Sequence, residues 1–573
     1  MHVLLGRLGL LLSLAHLVNP SVGFCTDAPQ PATPKPRLVV LVVFDQMRGD
    51  YPTRWKELYG AGGFERLMKE GTWYSNCHYP YGLTVTGAGH ASLATGCEPY
   101  RHGIIANDWY ERGEKSSVYC AKHIKYRKVS SAPEPVGKEA KDPSFGCPDR
   151  LLVPTLADAW KAASGGKGKV VALSMKDRGC VFIGGKQPDA CYWFDDKTGA
   201  FVTSTYYGTE VAPWVAAFNA NKPADAWFGK DWTRMRGDID YTKYSSIDDQ
   251  EGEASGEKQG RTFPHPMTGG LEQPGEKYYL ALVSSPFANE LLLNFSKEAL
   301  AAEQLGQDDT PDLLSISFSA NDLIGHTWGP DSQEVLDVTL RTDALIAKLL
   351  NHLDEKVGKG RYLLVLSADH GVSPLPEVSR ARGLDAVRLT PADLQTRAET
   401  FLQERFGSAR AGKGKYIENL SWPMFYLNRR FLADQGVEQE TVEAALAEWL
   451  CKEKGVQAAY TRRQLTSRVP GGDAIGRMLQ RSFQPERAGD VFVVLRPYCY
   501  CSKYLTGTGH GMPHPHDTHV PLMVCGAGVP PRGERQELVT PLAAPRILAH
   551  ALGIDLPFAT GELPAGVFEA AGK

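Results

Sequence analysis

The sequence predicts an α/β fold built around a mostly parallel β-sheet. Short apolar runs predict buried strands at residues 37–44, 169–174, 313–318 and 362–367. Between the last two runs, residues 330–355 carry apolar side chains close to helical spacing. A strand, a helix and a second strand in this order are typical of a βαβ crossover, and such crossovers connect parallel strands.

The segments around these strands predict further elements. Residues 64–71 have an amphipathic pattern that ends in Gly71, which predicts a helix with a glycine stop. Residues 155–164 also predict a helix. Residues 110–150 are polar, contain many turn residues and lack periodicity, so we expect a surface loop there.

Two long segments interrupt the alternation of strands and helices. Residues 206–303 are rich in aromatic, Gly, Pro and Asp residues, and we expect an inserted cap that roofs the site. Residues 374–490 form a second insertion, which is folded because residues 437–451 predict a helix and residues 490–495 a strand. The predicted division is a signal peptide at 1–23, a linker at 24–36, core segments at 37–205, 304–373 and 491–573, and insertions at 206–303 and 374–490.

The N-terminus has the pattern of an export signal. Arg7 precedes an apolar run to about Val18 and small residues at 21–23, which predicts a secretory signal peptide and a periplasmic or secreted location. An N-terminal core helix is the alternative. Cys25 raises a lipid anchor as a second alternative, but Phe24 stands where a small residue is expected before a lipidated cysteine. No later stretch is long and apolar enough to span a bilayer.

The formal net charge is only −3 over 573 residues. A nearly neutral chain has no general attraction for nucleic acid or for an anionic membrane, so we expect neither as a partner. Recognition must therefore rest on local charge, which favours a small-molecule substrate. We favour a monomer.

Eleven cysteines in an exported chain favour disulfides. Cys180 with Cys191, and Cys499 with a distant partner, are the candidates, although sequence alone does not define the pairing. None of the cysteines has the Cys-x-x-Cys spacing of a structural zinc site, so we assign no metal to them.

Thr86 is the candidate nucleophile. It lies in Thr84-Val85-Thr86-Gly87-Ala88-Gly89-His90, where a hydroxyl is followed by small residues and an apolar helical run. This pattern predicts a hydroxyl at the start of a helix, where free backbone N–H groups and the positive end of the dipole favour an anion. Threonine before glycine is also common in turns, so a purely structural role is the alternative.

Acidic and histidine residues lie next to several predicted strands. They are Asp45, Asp322, His326, Asp369 and His370, which follow strands, and His510, which precedes the strand-like residues 520–525. Ligands of open α/β sheets bind outside the carboxyl ends of the strands, so we expect these side chains to converge. Such a set suits a divalent metal, and zinc accepts both imidazole and carboxylate. For any one pair, a surface ion pair or a helix cap is the alternative.

In combination these motifs resemble the alkaline phosphatase superfamily, its type I phosphodiesterase/nucleotide pyrophosphatase branch, and most closely the PafA-type phosphate-irrepressible alkaline phosphatases. The matching motifs are Phe44-Asp45-Gln46, Thr86-Gly87-Ala88-Gly89-His90, Asn107-Asp108, Lys176-Asp177-Arg178, Asp322-x-x-x-His326, Asp369-His370-Gly371 and His510-Gly511 followed by Asp517-Thr518-His519-Val520-Pro521. The resemblance implies a three-layer αβα sandwich, two zinc ions, a covalent phospho-threonine and hydrolysis of small phosphate esters.

The resemblance also implies a ligand set for each zinc ion. Asp45, Asp369 and His370 would hold one ion together with Thr86. The second ion would be held by Asp322, His326 and His510. His519 is the alternative to His510, because several histidines are close together in this part of the sequence.

Lys176 and Arg178 indicate the substrate class. In an extended segment, residues two apart point the same way, so both cations are expected to reach one phosphoryl group while Asp177 faces elsewhere. A monoester carries about one more negative charge on its transferred group than a diester, so two cations favour the monoester. The PafA-type enzymes combine this pair with an asparagine, here Asn107. A solvated charge run is the alternative interpretation.

Three other functions are alternatives to an alkaline phosphatase. A phosphodiesterase or nucleotide pyrophosphatase fits the wider family. A non-catalytic binding protein would be expected to have lost a ligand or the nucleophile. Cys97-Glu98-Pro99-Tyr100-Arg101 fits the sulfatase formylglycine motif, but it follows a Thr-Gly pair, whereas the sulfatase motif precedes one.

Overall fold

The computed structural model describes residues 35–133, 145–408 and 414–568, and a ten-stranded sheet runs through them. The predicted signal peptide and residues 24–34 of the predicted linker lie outside these ranges, so the exported location stays a prediction. Within the described residues, none of the helices is both long and apolar enough to cross a membrane.

The strands and helices are numbered here along the chain. The strands are β1 Leu38–Phe44, β2 Thr72–Tyr74, β3 Asp108–Glu111, β4 Ser116–Tyr119, β5 Lys122–His123, β6 Lys128–Val129, β7 Phe145–Gly146, β8 Val170–Ser174, β9 Ala190–Asp195, β10 Ala200–Ser204, β11 Asp231–Trp232, β12 His265–Pro266, β13 Asp312–Phe318, β14 Tyr362–Ser367, β15 Arg388–Leu389, β16 Ile417–Ser421, β17 Met424–Leu427, β18 Val456–Thr461, β19 Val491–Leu495, β20 Tyr500–Cys501, β21 Leu522–Gly526 and β22 Gly533–Arg535. The helices are α1 Tyr51–Arg54, α2 Phe64–Glu70, α3 Thr86–Thr95, α4 Pro99–His102, α5 Leu156–Ala163, α6 Asp177–Gly184, α7 Pro213–Ala220, α8 Glu276–Val283, α9 Pro286–Ala302, α10 Ala320–Trp328, α11 Gln333–Leu353, α12 Pro376–Ala381, α13 Pro391–Phe406, α14 Arg429–Gln435, α15 Gln439–Leu450, α16 Arg462–Thr466, α17 Ala474–Ser482, α18 Pro515–Thr518 and α19 Ala543–Leu552.

The central sheet has the strand order β22-β2-β21-β14-β1-β13-β8-β9-β10-β6. The five inner strands from β14 to β9 are parallel, and antiparallel pairs occur only towards the two edges. One group of helices, α3, α5, α6 and α19, packs together and against the sheet, and a second group, α2, α9 and α11, does the same. The predicted α/β class with a mostly parallel sheet and helical layers is confirmed.

Strand β1 sets the position of the site because it lies between β13 and β14. All seven of its residues are buried, which explains its continuous apolar sequence. Phe44 at its end pairs with Phe318, and Val43 pairs with Ser367. The three strands therefore end at the same level, so the residues that follow them meet at one edge of the sheet.

The apolar runs that predict β1, β13 and β14 are confirmed as strands. Four further predicted elements are also confirmed. They are α2 with Gly71 after it, α5, β8 and α11. Helix α5 begins with a capping box in which Thr155 and Asp158 satisfy each other's backbone N–H groups.

The predicted surface loop at 110–150 is wrong in part. Strands β3 and β4 form a hairpin there, and β6 pairs with β10 at the edge of the central sheet. These strands have only two to four residues, so they are too short to produce a recognisable alternation of polar and apolar side chains.

The segments predicted as insertions contain regular structure. Helix α9, within residues 206–303, packs against β8, β13 and α11. Strands β16, β17, β19 and β18 form a smaller four-stranded sheet, and this sheet extends to Leu495, beyond the predicted boundary at residue 490. The division of the chain into core and insertions stays a prediction.

The disulfides expected from the cysteine count are not formed among the described residues, where the ten cysteines are free thiols. Cys180 on α6 nevertheless lies within hydrogen-bonding contact of Cys191 on β9, because α6 packs directly against that strand.

A buried Glu334–His265 pair joins α11 to β12. Nε2 of His265 lies 3.1 Å from Oε1 of Glu334, and Nδ1 of His265 lies 3.2 Å from the carbonyl oxygen of Gln259. Burial raises the pKa of Glu334 to about 8 and lowers the pKa of His265 to about 4. The pair is therefore neutral at pH 7, with the carboxylic acid donating to the imidazole.

Glu334→Gln is expected to reduce the pH dependence of stability. Between about pH 6.5 and pH 8 the folded wild-type protein holds a proton on Glu334 that the unfolded chain has released, so its stability falls as pH rises. Below that range the lowered pKa of His265 opposes the Glu334 slope, because the unfolded imidazole is protonated and the folded one is not. The comparison is therefore made between about pH 6.5 and pH 8. One such proton contributes a slope of about 1.4 kcal/mol per pH unit. Chemical denaturation across this pH range should show a shallower slope for Glu334→Gln, and higher stability than wild type above pH 8. The exposed Glu251→Gln is the control, and an unchanged slope in Glu334→Gln would contradict the assignment.

Candidate active site

Three carboxylates and three imidazoles meet at the edge where β1, β13 and β14 end. Asp45 follows β1, Asp369 and His370 follow β14, and Asp322 lies in the first turn of α10, directly after β13. His326 is four residues further along α10, so it shares a helix face with Asp322. Its Nε2 lies 3.1 Å from Asp322 Oδ1.

Two overlapping groups have the spacing of metal ligands. One contains Asp45, Asp369 and His370, and the other contains Asp322, His370 and His510. Within each group the ligand atoms lie within 4.8 Å of one another. The first group contains the three protein ligands expected beside Thr86. The second group contains His370 as well, so this residue belongs to both groups. His326 is not a member of either group, but its Nε2 lies 3.1 Å from Oδ1 of Asp322.

All three imidazoles present the same nitrogen to this centre. Nδ1 of His326 bonds to the carbonyl of Thr508 at 2.6 Å, Nδ1 of His370 to Gly371 at 2.9 Å and Nδ1 of His510 to Thr84 at 2.7 Å. A backbone carbonyl accepts, so each Nδ1 carries a proton and each Nε2 faces the centre. Metal-binding histidines are oriented in this way.

The charge states of the imidazoles follow from burial and from their neighbours. Burial lowers the pKa of His370, and burial together with the neighbouring His370 and His326 lowers the pKa of His510 well below its usual value. Burial also acts to lower the pKa of His326, but the adjacent Asp322 raises it overall. His370 and His510 are therefore neutral and able to bind a metal.

The carboxylates are incompletely satisfied. Oδ1 of Asp45 is buried and has no hydrogen-bond partner among the described residues, and the buried Oδ2 of Asp369 lies 3.1 Å from Nδ1 of His90, which is already engaged by the carbonyl oxygen of Thr86. Burial and the carboxylates of Asp322 and Asp369 raise the pKa of Asp45 well above its usual value. Buried carboxylates need a compensating cation. The donor set of oxygens and imidazole nitrogens is one that zinc accepts, so these residues fit a zinc centre.

Thr86 is the first residue of α3, as the sequence predicts, and Val85 before it is extended. Its Oγ1 lies 3.3 Å from Nε2 of His370. The small residues after it are required by close packing, since a Cβ on Gly89 would lie 2.3 Å from the carbonyl oxygen of Asp369. The hydroxyl is therefore held against the ligand groups at the positive end of a buried helix.

Lys176 lies between the two ligand groups. Its Nζ is 2.5 Å from Oδ2 of Asp45 and 2.5 Å from Oδ2 of Asp322. Burial acts to lower the pKa of Lys176, but the two carboxylates raise it overall. The lysine is therefore a buried cation at the centre of the site.

The extended conformation predicted from Lys176 to Arg178 is wrong, because helix α6 begins at Asp177. Arg178 instead lies in the first helical turn, where its Nη1 donates to the hydroxyl of Tyr119 at 2.9 Å. That hydroxyl donates in turn to Asp177 at 2.6 Å. In sequence, Asp177 and Arg178 resemble a run of solvent-exposed charged residues. Their hydrogen bonds with Tyr119 depend on the packing of β4 beside the start of α6.

Asn107 is joined to the start of helix α3. Its Oδ1 accepts a hydrogen bond from the backbone N–H of Gly87 at 2.7 Å. Its amide nitrogen has no hydrogen-bond partner in the described part of the chain, so this N–H group is available for a ligand beside Thr86.

His519 and Cys97 lie apart from the ligand groups. His519 stacks on His78 with ring centroids 4.6 Å apart, and its Nε2 bonds to the carbonyl of Ser75. Cys97 lies beyond the end of α3, about 15 Å along the helix from Thr86. The loop of His510 is held separately by Asp517, which accepts from the N–H groups of Gly511 and Met512.

Sequence reasoning missed three residues that position the site. Gln46 donates to Asp322 through its side chain at 2.6 Å and to Asp369 through its backbone at 3.1 Å. It does so in a left-handed conformation, with φ of 66°, which non-glycine residues seldom adopt outside functional sites. His90 and Tyr119 are the others. Gln46 and His90 lie inside the quoted motifs, so their position next to Asp45 and Thr86 was the available signal.

His90 connects Thr86 to Asp369. Its Nδ1 lies 2.9 Å from the carbonyl oxygen of Thr86 and 3.1 Å from Oδ2 of Asp369, and its Nε2 lies 2.7 Å from the hydroxyl of Ser317. The imidazole therefore fixes the start of α3 relative to the strand ends.

Known proteins share this fold and sequence. Residues 39–519 match the family described as type I phosphodiesterase / nucleotide pyrophosphatase. The chain is 33% identical to alkaline phosphatase PhoV of Synechococcus elongatus, over 90% of each sequence, and 34% identical to alkaline phosphatase PafA of Elizabethkingia meningoseptica, over 87% of this chain and 88% of that one. The crystal structure of wild-type PafA superposes with a TM-score of 0.84 at 32% identity, covering 94% of this chain and all of that one. The chain belongs to the type I phosphodiesterase/nucleotide pyrophosphatase family.

Proposed function

We propose that this protein is a zinc-dependent alkaline phosphatase that hydrolyses phosphate monoesters through a phospho-threonine intermediate on Thr86. The likeness to PafA and PhoV supports a phosphatase of this superfamily. The observation that carries the finer proposal is the arrangement of Nε2 lone pairs and buried carboxylates around the Thr86 hydroxyl.

Two zinc ions would be held by the residues that meet at the strand ends. Asp45, Asp369 and His370 would bind one, together with Thr86, and Asp322, His326 and His510 the other. When bound, zinc supplies a Lewis acid that lowers the pKa of a coordinated hydroxyl or water and offsets the negative charge that develops on the reacting oxygens.

The protein groups have defined roles in the reaction. The hydroxyl of Thr86 gives up its proton and Oγ1 attacks phosphorus, so that a bond from Thr86 to phosphorus forms as the bond to the leaving oxygen breaks. The leaving oxygen takes up a proton and departs as an alcohol. Water then attacks the phosphorus of phospho-Thr86, which releases inorganic phosphate and returns the hydroxyl. The N-terminus of α3 and the amide of Asn107 stabilise the negative phosphoryl oxygens.

Lys176 and Arg178 would favour the monoester. Both are cations at the start of α6, and Lys176 Nζ is 2.5 Å from each of two predicted metal ligands. Arg178 is oriented by Tyr119. A phosphodiesterase or nucleotide pyrophosphatase is the second candidate, favoured by the description of the matching family.

Replacing both cations tests the substrate class. Lys176→Ala with Arg178→Ala is expected to lower kcat/KM for an aryl phosphate monoester by about 100-fold or more, because each cation stabilises charge in the transition state. Activity on a bis-aryl diester should change much less. The control is Lys186→Ala, an exposed lysine just beyond α6. A wild-type preference for the diester, left intact by the double replacement, would favour the second candidate.

Trapping the intermediate tests the nucleophile. Thr86→Ala is expected to abolish turnover and to prevent covalent labelling by the phosphoryl group in acid-quenched protein. Thr86→Ser should retain labelling, because it keeps the hydroxyl. Zinc content measured on the same samples distinguishes loss of the nucleophile from loss of metal, and a labelled Thr86→Ala protein would reject this role.

His90→Ala is expected to weaken zinc binding about 10- to 100-fold, the usual cost of removing a group that orients metal ligands. Competition with a chromophoric chelator measures this affinity. His102→Ala is the matched control, since His102 is equally buried and bonds to Ser92 on α3, the helix that contains His90.

Metal analysis tests the two-metal centre itself. Fewer than about two zinc equivalents in the reconstituted wild-type protein would contradict it.

A further inference from the structure

A groove of about 340 Å³ opens beside Thr86. Val85 and Asn107 line the end next to the nucleophile, Ser117 lies along one wall, and Asn419 and Trp422 lie along the other. Clefts that bind small molecules begin at about this size. We call this feature the leaving-group groove.

The groove adjoins the candidate active site. Val85 directly precedes Thr86, and Asn107 accepts from the N–H of Gly87. On the floor, the side chains of Leu83 and Val85 pack beside Gly511, where an added Cβ would lie 3.3 Å from each. The nucleophile and the His510 loop therefore border the same space.

The two walls are held together, so the groove is preformed. One wall is the β3–β4 hairpin and the other is the β16–β17 hairpin of the smaller sheet. Arg112 on the first donates to the carbonyl of Leu427 at 3.1 Å and forms an ion pair with the buried Asp490. Tyr110 and Tyr426 also meet edge to face, with ring centroids 5.5 Å apart.

The lining favours a flat, uncharged ring. Leu83 and Val85 provide an apolar floor, and the half-buried indole of Trp422 provides an aromatic surface. The amide nitrogen of Asn419 has no hydrogen-bond partner among the described residues, while its Oδ1 accepts from Ser421, so a donor remains for a polar edge. Asp108, exposed in the lining, repels a second anionic group.

We propose that this groove binds the leaving group of the substrate, and that the preferred leaving group is an uncharged alcohol that contains an aromatic ring, such as a phenol or a nucleoside. The inference rests on the proposed phosphomonoesterase function. In this arrangement the phosphoryl group lies at Thr86, and the aromatic ring lies between Trp422 and the apolar floor formed by Leu83 and Val85.

Two substitutions test this assignment, one that removes the aromatic surface of the groove and one that fills the groove. Trp422→Ala removes the aromatic surface, and Ser117→Trp fills the groove from an exposed position on β4. Each is expected to lower kcat/KM for phenyl phosphate and adenosine 5′-monophosphate about tenfold, the scale of losing one base-stacking contact. Activity on glycerol 2-phosphate, which has no ring, should change less than twofold.

Two variants serve as matched controls. Ser116→Trp adds the same ring to the opposite face of the same strand, since side chains alternate. Trp449→Ala removes a tryptophan that packs on Phe401, away from the groove. Both should leave the ratio of aromatic to glycerol substrates unchanged.

The charge in the lining gives an independent readout. Asp108→Asn should raise activity on adenosine 3′,5′-bisphosphate relative to adenosine 5′-monophosphate about tenfold. Equal changes on ring-bearing and ring-free substrates in Trp422→Ala and Ser117→Trp, or no change in either, would overturn the proposal. If the wild-type protein hydrolysed neither phenyl phosphate nor glycerol 2-phosphate, the proposed function itself would fail.

Discussion

The site depends on three carboxylates buried together at one sheet edge. Asp45, Asp322 and Asp369 are almost fully buried, and Oδ1 of Asp45 lacks a hydrogen bond within the described chain. Charges of one sign confined in a low-dielectric interior repel strongly. Lys176 offsets this only in part, by contacting two of the three carboxylates. The neutral imidazoles of His370 and His510 face the same point, so the arrangement suits the binding of cations that would offset the remaining negative charge.

The parallel sheet makes this concentration of charge possible. Because β13, β1 and β14 are neighbours in register, residues separated by more than 300 positions in sequence meet at one edge. The close approach of α3 to the backbone after β14 then requires glycine at Gly89. The hydroxyl of Thr86 reaches Nε2 of His370 because the next turn of its helix carries glycine where the backbone of Asp369 approaches. The fold and the nucleophile motif therefore depend on the same packing constraint.

Much of the fold and of the candidate site followed from local sequence patterns. Buried parallel strands are continuous apolar runs, so β1, β8, β13 and β14 were recognisable, and the polar residues after them marked the sheet edge. The ligand sets and the role of Asn107 came from resemblance to a family. Short strands such as β6 gave no pattern, and the helical start of α6 was hidden because Asp177 and Arg178 resemble a surface charge run.

The sequence by itself determined the order of the elements and which side chains carry acids, imidazoles and the candidate hydroxyl, because periodicity and turn chemistry are local properties. Only the tertiary structure decided that Nε2 rather than Nδ1 of each histidine faces the centre, that Tyr119 orients Arg178, and that Trp422 from a distant sheet lines the groove beside Thr86. These features depend on contacts between segments far apart in the chain, and no local pattern encodes the partner of a hydrogen bond or the wall of a groove.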